Sequence, residues 1–377
     1  MAVRRPRIVR LLSAALACAA LGFVIWVVPI RDRCWDPRAP KTTHVSVSRQ
    51  PSSCILHLRS GDVEVDATEC ARLTCEPGVA STWSHVRVGT LGWLLGLYAL
   101  GTLAWAARWR ALLGLAGLDL GLLQAWRVSV EAQAGGVLMP GGIGGDALRV
   151  AWVIGSAKRA GLSSPTAIVI ASVVLDRCVG LAVIAGVAST LGIASGGLHA
   201  GPMALVMASI PFAFVAGIAL LRWIPMELVP WLTRGPVGER ASPILGYVRA
   251  PNAPRAIAIA AALSILVAGV QFATIRGLIF AFGATVTAET WVYVGTAMVF
   301  VVGAIPALPG AWGTADVAYV FFLGLAGVSA GTALGVSLMY RLFWYVSAVV
   351  GALLYLVRAR DLDELGAAPS PGLEPRP

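Results

Sequence analysis

Apolar stretches long enough to cross a lipid bilayer recur along the whole chain. A helix needs about 20 mainly apolar residues to span the hydrocarbon core. Stretches of this length lie at Leu11–Ile30, Val88–Ala107, Ala167–Ile193, Met203–Leu221, Ala256–Phe282 and Thr332–Val357. The hydrophobic pattern therefore predicts an all-α integral membrane protein with about six full spans.

Two further apolar segments, Leu120–Val153 and Ala288–Leu325, are each interrupted by a Pro-Gly pair. The charges of the neighbouring loops place both ends of each segment on one side of the membrane, because cytoplasmic loops are enriched in Lys and Arg. Irregular backbone at membrane depth is tolerated only where protein or a polar cavity covers it. Each segment is therefore predicted to be a re-entrant hairpin of two short helices, the first entering from the cytoplasm and the second from outside.

The two interruptions resemble each other in sequence. They share a Pro-Gly pair, a glycine three residues after the first glycine, and an acid soon after it: Pro140, Gly141, Gly144 and Asp146 in the first, and Pro309, Gly310, Gly313 and Asp316 in the second. Interrupted segments in two halves of opposite orientation are typical of inverted-repeat transporters, whose broken helices bind ions and anionic groups. Glycines that serve only close packing, and ordinary Pro-Gly loops, are the alternatives. The repetition favours the transporter interpretation.

The loop between the first two spans, residues 31–87, holds four of the six cysteines: Cys34, Cys54, Cys70 and Cys75. Such a cluster outside the membrane predicts two disulfides in an oxidising compartment, and Cys54–Cys70 with Cys34–Cys75 is the expected pairing among three connectivities. A zinc site is the weaker alternative, because no Cys-x-x-Cys pair is present. Alternating polar and apolar residues on both sides of residues 60–62 predict a small β-hairpin within the loop.

Loop composition also orients the chain. Arginines precede the first apolar stretch and follow the last one, so the N- and C-termini are both predicted to be cytoplasmic. The same argument places Arg108 and Arg110 in a cytoplasmic loop. No small-residue cleavage site follows Leu11–Ile30, which is therefore expected to be a retained span. The expected location is the cell (inner) membrane.

Four regions follow from this orientation. Residues 1–30 form a cytoplasmic N-terminus and the first transmembrane helix. Residues 31–87 form an extracytoplasmic disulfide-bonded loop. Residues 88–357 form the transmembrane domain, and residues 358–377 form a disordered cytoplasmic tail that is polar and rich in proline.

Composition supports the membrane assignment. The 377 residues are 58% hydrophobic and 13% charged, with a mean hydropathy of +0.79. A soluble domain carries about 25% charged residues. The net charge of +10 is distributed in short runs between apolar stretches. It therefore indicates cytoplasmic loops rather than nucleic-acid binding.

Ionisable residues at membrane depth are the candidates for function, because a charge at the bilayer centre costs about 2.5–3.5 kcal/mol on insertion scales. Six of them are predicted to line one polar cavity near mid-membrane: Asp146, Arg149, Asp176, Arg177, Asp316 and Arg341. Arginines there would bind lipid phosphate, and the acids would orient them. Arg149 and Arg341 are both expected to be essential for lipid movement and dispensable for folding.

Structural ion pairing is the alternative for these charges. For Asp176 and Arg177, salt bridges that lock helices together are given the same weight as a functional role. Arg127 and Arg276 are expected to extend towards a membrane interface.

Signatures of catalysis are sparse. The four histidines fall in segments predicted to lie outside the membrane, and no Ser or Cys nucleophile adjoins a base. No P-loop provides a nucleotide site. No catalytic residue, cofactor or metal is therefore expected.

Several runs between Leu91 and about Val357 form a recognisable series: Trp105–Leu113, Pro140–Arg149, Leu175–Arg177, Leu308–Gly313 with Asp316, Leu338–Arg341 and Gly351–Tyr355. In this order they resemble the transmembrane region of lysylphosphatidylglycerol synthases and its stand-alone flippase-like relatives. Only a short tail follows Val357, without the soluble aminoacyl-transferase domain of full synthases. The resemblance therefore implies lipid translocation rather than lipid aminoacylation.

The expected function is that of a flippase-like carrier that moves a polar or anionic lipid headgroup between leaflets. A membrane-embedded lipid-modifying enzyme, or the membrane subunit of one, is the alternative, and a scaffold whose outer loop binds a partner is a third. The expected ligand is a membrane lipid with a phosphate-bearing headgroup and not a nucleic acid. A homo-oligomer and a partner enzyme both stay open.

Overall fold

The computed structural model describes the backbone of most of the chain: residues 22, 26, 28, 32–35, 45–49, 53–58, 61–66, 68, 74–76, 78–84, 86–138, 143–162, 164–195, 201–223, 243–304 and 313–367. All but three residues of the first predicted span lie outside this part. So do Pro140, Gly141, Pro309 and Gly310, the Pro-Gly pairs of both interruptions.

Helices dominate the described residues. In chain order they are α1 (Val79–Ser84), α2 (Val88–Leu113), α3 (Leu122–Leu138), α4 (Ile143–Arg159), α5 (Pro165–Ala194), α6 (Gly201–Trp223), α7 (Ala253–Ala281), α8 (Glu289–Ala304), α9 (Thr314–Leu325) and α10 (Ala330–Ala367). A further helical segment covers residues 243–249.

Five of the described helices are long and apolar enough to cross a membrane. They cover Val88–Ala116, Pro165–Ala194, Leu205–Trp223, Ala253–Ala281 and Ala330–Val357. These are five of the six predicted spans, and the sixth falls on the residues that the structure leaves out. The total of six therefore stays a prediction.

The remaining apolar helices are shorter and come in two pairs. Helices α3 and α4 have 17 residues each, α8 has 16 and α9 has 12. At 1.5 Å per residue they measure only about 18–26 Å, against about 30 Å for the hydrocarbon core. Helix α3 packs on α4, and α8 packs on α9. Each interrupted segment is thus a pair of short helices, as predicted; entry and exit on one side of the membrane stay predictions.

The two halves of the domain pack on each other reciprocally. Helix α3 of the first short pair packs on α10 of the second half, and α8 of the second pair packs on α5 of the first half. The long helices that precede the pairs, α2 and α7, lie against each other. The order long helix, short pair, long helix therefore occurs twice, and the halves exchange contacts through their short helices.

A five-stranded antiparallel sheet occupies the loop before the domain. Its strands are β1 (Asp32–Trp35), β2 (Val45–Arg49), β3 (Ser53–Leu58), β4 (Gly61–Asp66) and β5 (Thr74–Glu76), in the spatial order β4-β3-β2-β1-β5. Strands β3 and β4 form the predicted hairpin. The sheet is larger than the predicted hairpin, because β1, β2 and β5 add three strands to it.

Two cysteines are register partners in this sheet. Cys34 on β1 is the register partner of Cys75 on β5, and Cys34 and Cys54 are both buried. Cys70 and the side chain of Cys75 lie outside the described residues. The number and pairing of the disulfides stay predictions.

The sheet is tied to one end of the helical domain. Asp32 accepts a hydrogen bond of 2.8 Å from the backbone of Gly78, and it also accepts one from the hydroxyl of Ser81 in α1. The ring of Trp83 in α1 packs edge-on against Phe282, with centroids 5.8 Å apart. The sheet therefore lies beside the turn between α7 and α8, which the loop charges also predict to be extracytoplasmic.

The last helix ends later than predicted. Helix α10 continues to Ala367, into the segment predicted to be a disordered tail. Residues 358–365 contain no Pro or Gly, so no helix-breaking residue stops the helix there. The helix therefore extends ten residues beyond the predicted end of the transmembrane domain at Val357; disorder of the tail stays a prediction, and residues 368–377 lie outside the described part.

Candidate functional site

A cavity of about 430 Å³ lies between the two halves of the domain. All four short helices (α3, α4, α8 and α9) line it together with the long helices α2, α5, α7 and α10. Five of the six ionisable residues predicted to share a cavity are in its lining: Asp146, Arg149, Asp176, Arg177 and Arg341. The sixth, Asp316, contacts Arg341 directly.

Arg108 is a further lining residue, and its predicted position in a cytoplasmic loop is wrong. It lies inside α2, buried, with Nε 2.6 Å from Oδ1 of Asp176 and Nη2 3.0 Å from Oδ2. Two parallel hydrogen bonds of this kind make a strong, directional ion pair. Arg110 points to the exposed side and pairs with Asp119 at 3.1 Å. Assigning loops from their content of Lys and Arg cannot distinguish a buried arginine from an exposed one when the two lie on opposite faces of the same helical turn.

Arg149 on α4 is buried against aromatic rings. Its guanidinium carbon lies 3.8 Å from the ring centroid of Trp105 and 5.0 Å from that of Trp109. Its contact with Asp176 is long, at 3.4 Å between Nη1 and Oδ2. Its Nε and Nη2 atoms have no hydrogen-bond partner within the described part of the chain. Stacking therefore holds this arginine in place while part of its hydrogen-bonding capacity stays unused.

Asp146 forms a salt bridge with a residue of another helix rather than with a residue of its own helix. Its Oδ2 atom lies 2.5 Å from Nε of Arg177, and both side chains are partly exposed. The pair joins the first turn of α4 to α5. Asp146 and Arg149 are three residues apart, as the sequence shows, but each meets a residue of α5. Both Asp176 and Arg177 thus take part in interhelical salt bridges, which is the structural alternative to a functional role for them.

Asp316 lies in the first turn of α9, the helix that follows the second interruption. It accepts hydrogen bonds from the backbone of Gly313 at 3.0 Å and from the hydroxyl of Ser337 at 2.6 Å. Its oxygens also bind Nη1 and Nη2 of Arg341 at 3.1 and 3.0 Å. Gly313 has a φ of 76°, in the left-handed region that favours glycine. The acid after the second break is therefore a buried helix cap joined to α10.

The structure also accounts for Arg127 and Arg276. Arg127 pairs with Glu131 at 2.9 Å and donates to the carbonyl oxygen of Leu354 at 2.8 Å. This second bond joins α3 to α10, and extension towards a membrane interface stays a prediction. Arg276 is partly exposed and pairs with Glu289 at 2.8 Å.

Neutral polar and aromatic groups complete the lining, and the sequence did not predict them. Gln133 and Tyr319 each have a buried oxygen without a hydrogen-bond partner in the described structure. Tyr98 and Tyr340 pack edge-on at 5.7 Å, and Phe300 packs on Tyr340 at 6.0 Å. Isolated glutamine and tyrosine residues within apolar stretches are the signal that could have found them. Among the described residues, no group of three or more His, Cys, Asp or Glu side chains could hold a metal.

Comparison with known proteins gives one match. A family model described as "Lysylphosphatidylglycerol synthase TM region" matches residues 78–351, well over half of the chain. The matched range contains both short-helix pairs and every charged residue of the cavity, whereas the five-stranded sheet precedes it. No curated protein and no solved structure matches the chain.

Proposed function

The chain belongs to the lysylphosphatidylglycerol synthase TM region family, and from this premise we propose that it is a lipid translocase that moves a polar or anionic headgroup between the leaflets of the membrane. The observation that carries the proposal is the charged cavity between the two halves. Four arginines and two acids line it, among residues that are otherwise largely apolar. The family description names a phospholipid, which supports a lipid as the ligand.

The physical problem of lipid translocation is the headgroup. An anionic phosphate in hydrocarbon loses its hydration, and buried arginines offset that loss because guanidinium groups bind phosphate oxygens bidentately. A volume of about 430 Å³ lies within the range of about 300–1,000 Å³ usual for small-ligand pockets. It suits a headgroup whose acyl chains stay in the surrounding lipid.

The reciprocal packing of the short helices supports a transport mechanism. Secondary transporters place their substrate between repeats, at discontinuous helices, and expose it to either side by moving one repeat against the other. In this proposal the pairs α3–α4 and α8–α9 are re-entrant hairpins that open on opposite faces. The chain lies in the cell membrane with six spans, cytoplasmic termini, and a disulfide-bonded sheet outside.

The alternative is a membrane-embedded lipid-modifying enzyme, or the membrane subunit of one, and the family description favours it because it names a synthase. Purified protein in liposomes separates the two. We expect fluorescent phosphatidylglycerol to change leaflet without chemical change, detected by quenching the outer leaflet. A new lipid species in mass spectrometry, without leaflet exchange, would replace the translocase proposal by the enzyme.

A further inference from the structure

Among the four arginines of the cavity, one is neutralised less than the others. We propose that Arg149 is the anion-binding side chain, that Arg108 is a positioning residue that keeps it available, and that the site takes a headgroup with a single negative charge, such as a phosphodiester. The proposal deepens the translocase function and rests on it.

The first step is the sharing of Asp176. Both of its oxygens accept short hydrogen bonds from Arg108, at 2.6 and 3.0 Å. Arg149 reaches only one of them, at 3.4 Å. One carboxylate therefore faces two guanidinium groups and is bound mainly by Arg108. One positive charge is left over, and it resides on Arg149.

The second step is that Arg108 is itself held in place. Its Nη1 atom lies 3.3 Å from the hydroxyl of Ser264 on α7. A Cβ atom at Gly180 on α5 would come within 2.6 Å of the same nitrogen. The missing side chain at Gly180 makes room for the guanidinium group, so α5 and α7 together hold Arg108 of α2 against Asp176.

The third step is the state of Arg149. Its side chain is only 1% exposed, yet Nε and Nη2 make no hydrogen bond to the described residues. Its guanidinium carbon lies over the ring of Trp105, 3.8 Å from the centroid, and this contact with the ring face uses none of the N–H groups as hydrogen-bond donors. Buried charged donors are normally paired. A bound anionic oxygen would supply the partner.

Within the described structure, the charged pair in the second half of the domain, Asp316 and Arg341, has no comparable unpaired N–H groups that would point to a ligand. Asp316 binds both terminal nitrogens of Arg341 and also caps α9. One acid and one base neutralise each other there. In this inference Arg341 is a structural partner of Asp316 rather than an anion-binding residue; that both arginines are essential for lipid movement stays a prediction.

The charge balance gives the class of ligand. The cavity and its adjoining cap hold four basic residues (Arg108, Arg149, Arg177 and Arg341) and three acidic ones (Asp146, Asp176 and Asp316). Residues 139–142 and 305–312, which contain the two interruptions, have no ionisable side chain in the sequence. The balance of one positive charge matches a phosphodiester. A phosphomonoester carries about 1.5 to 2 negative charges at neutral pH.

The first test measures binding rather than transport. The purified full chain in a non-ionic detergent is titrated with dihexanoylphosphatidylglycerol, followed by calorimetry. We expect Arg149→Gln to weaken binding about 10- to 100-fold, the usual range for a lost hydrogen bond to a charged group. Arg110→Gln is the matched control, because Arg110 is exposed and paired with Asp119; it should bind as the wild type does. Unchanged affinity in Arg149→Gln would overturn the assignment.

The second test separates positioning from support of the fold. In Arg108→Gln, Asp176 is free to bind Arg149 fully, so affinity should fall as it does in Arg149→Gln. In the double variant Arg108→Gln/Asp176→Asn, Arg149 is again the uncompensated charge, and affinity should recover towards the wild type. If Arg108 only supports the fold, the double variant would bind no better than the single one, and the positioning role would be refuted.

Two further ligands test the class. Dihexanoylphosphatidic acid, a phosphomonoester, should bind more weakly than the diester, and tighter binding would contradict the charge balance. Dimethyl phosphate carries the same diester charge without acyl chains. If dimethyl phosphate bound with the same affinity as the lipid, Arg149 would still be the anion-binding residue, but its ligand would be a soluble ester.

Binding and transport can fail separately. A wild type that binds as expected but moves no lipid in liposomes would leave this inference standing and refute the translocase. A wild type that binds neither lipid would refute the inference.

Discussion

At the scale of single residues, the partner of a charge decides its role. Arg108 and Arg110 are two residues apart on α2, and one is buried on Asp176 while the other is exposed beside Asp119. An exposed pair is worth at most about 1 kcal/mol, whereas breaking a buried pair costs about 3–5 kcal/mol. Residues of one type in one turn can thus differ several-fold in their effect on stability.

The buried pair in the second half gives the first prediction. Arg341→Gln should lower the thermal unfolding temperature strongly, because it leaves the buried carboxylate of Asp316 without its counter-charge; the cost is about 3–5 kcal/mol. Arg341→Gln/Asp316→Asn should recover part of the loss, since both charges are then gone. Thermal unfolding in detergent measures both. A single variant as stable as the wild type would show that the pair is not structural.

The sequence predicted which ionisable residues approach the cavity but not how they pair. An ionisable residue within an apolar stretch can be recognised from the local sequence alone. The partner of Asp146 is 31 residues away and that of Arg108 is 68 residues away. Such pairs depend on how helices pack, which no local spacing encodes. Arg108 was missed because it lies only five residues before the end of its helix.

At the scale of elements, the two interrupted segments behave as the Pro-Gly pairs predict. Proline removes a backbone donor and ends a helix, so a long apolar stretch becomes two short helices. Asp316 at the start of α9 adds a cap that only the structure shows. The helix pairs were therefore predictable from residue type, and their anchoring was not.

Orientation of the pairs leads to the second prediction. In a variant without Cys18 and Cys178, a cysteine placed at Lys158, in the last turn of α4, should react with an impermeant thiol reagent only from the cytoplasmic side. A cysteine at Thr285 should react only from outside; both native side chains are exposed. Gly283 is avoided because its φ of 71° would strain a side chain. Reaction of both from one side would end the inverted-repeat interpretation.

The sheet shows where strand prediction stops. The hairpin β3–β4 was predictable because its strands are adjacent and alternate polar and apolar residues. Strands β1 and β5 have four and three residues and pair across about 40 residues of sequence. Strands this short contain too few residues for a two-residue alternation to be recognised, and their pairing partners are too distant in sequence to suggest a hairpin.

The register of this sheet sharpens the disulfide hypothesis into a third prediction. Cys34 and Cys75 are opposite in neighbouring antiparallel strands. Opposite residues there have Cα atoms about 4.5–5.5 Å apart, within the range of about 4.4–6.8 Å that a disulfide needs. Non-reducing peptide mapping of protein from its native membrane should find Cys34–Cys75, and by exclusion Cys54–Cys70. Four free thiols would contradict the oxidised loop and the orientation argued from it.

At the scale of the whole molecule, the exchanged short helices hold the two halves together. The resemblance of the two interruptions predicted a repeated unit. It could not predict that α3 packs on α10 and α8 on α5, because exchange between halves is a property of tertiary packing. At each exchanged contact a glycine allows close approach: Gly351 on α10 faces the carbonyl group of Val130, and Gly192 on α5 faces the side chain of Val294.

The last prediction compares these two glycines. A Cβ at Gly351 would overlap the backbone carbonyl oxygen of Val130, which cannot move without shifting α3. A Cβ at Gly192 would come within 2.9 Å of a methyl group of Val294, which can rotate away. Overpacking costs about 1–3 kcal/mol, so Gly351→Ala should lie at or above the top of that range and Gly192→Ala near its lower end.

The control for this comparison is Gly269 on α7, where an added Cβ meets nothing within 4 Å. Gly269→Ala should be neutral or stabilising by up to about 1 kcal/mol, because alanine loses less conformational freedom in a helix. Thermal unfolding in detergent ranks the three variants, and lipid movement in liposomes shows whether the α3–α10 contact also carries transport. If Gly351→Ala were as stable as Gly269→Ala, the close α3–α10 contact would not exist in the membrane, and the reciprocal arrangement of the halves would lose one of its two supports.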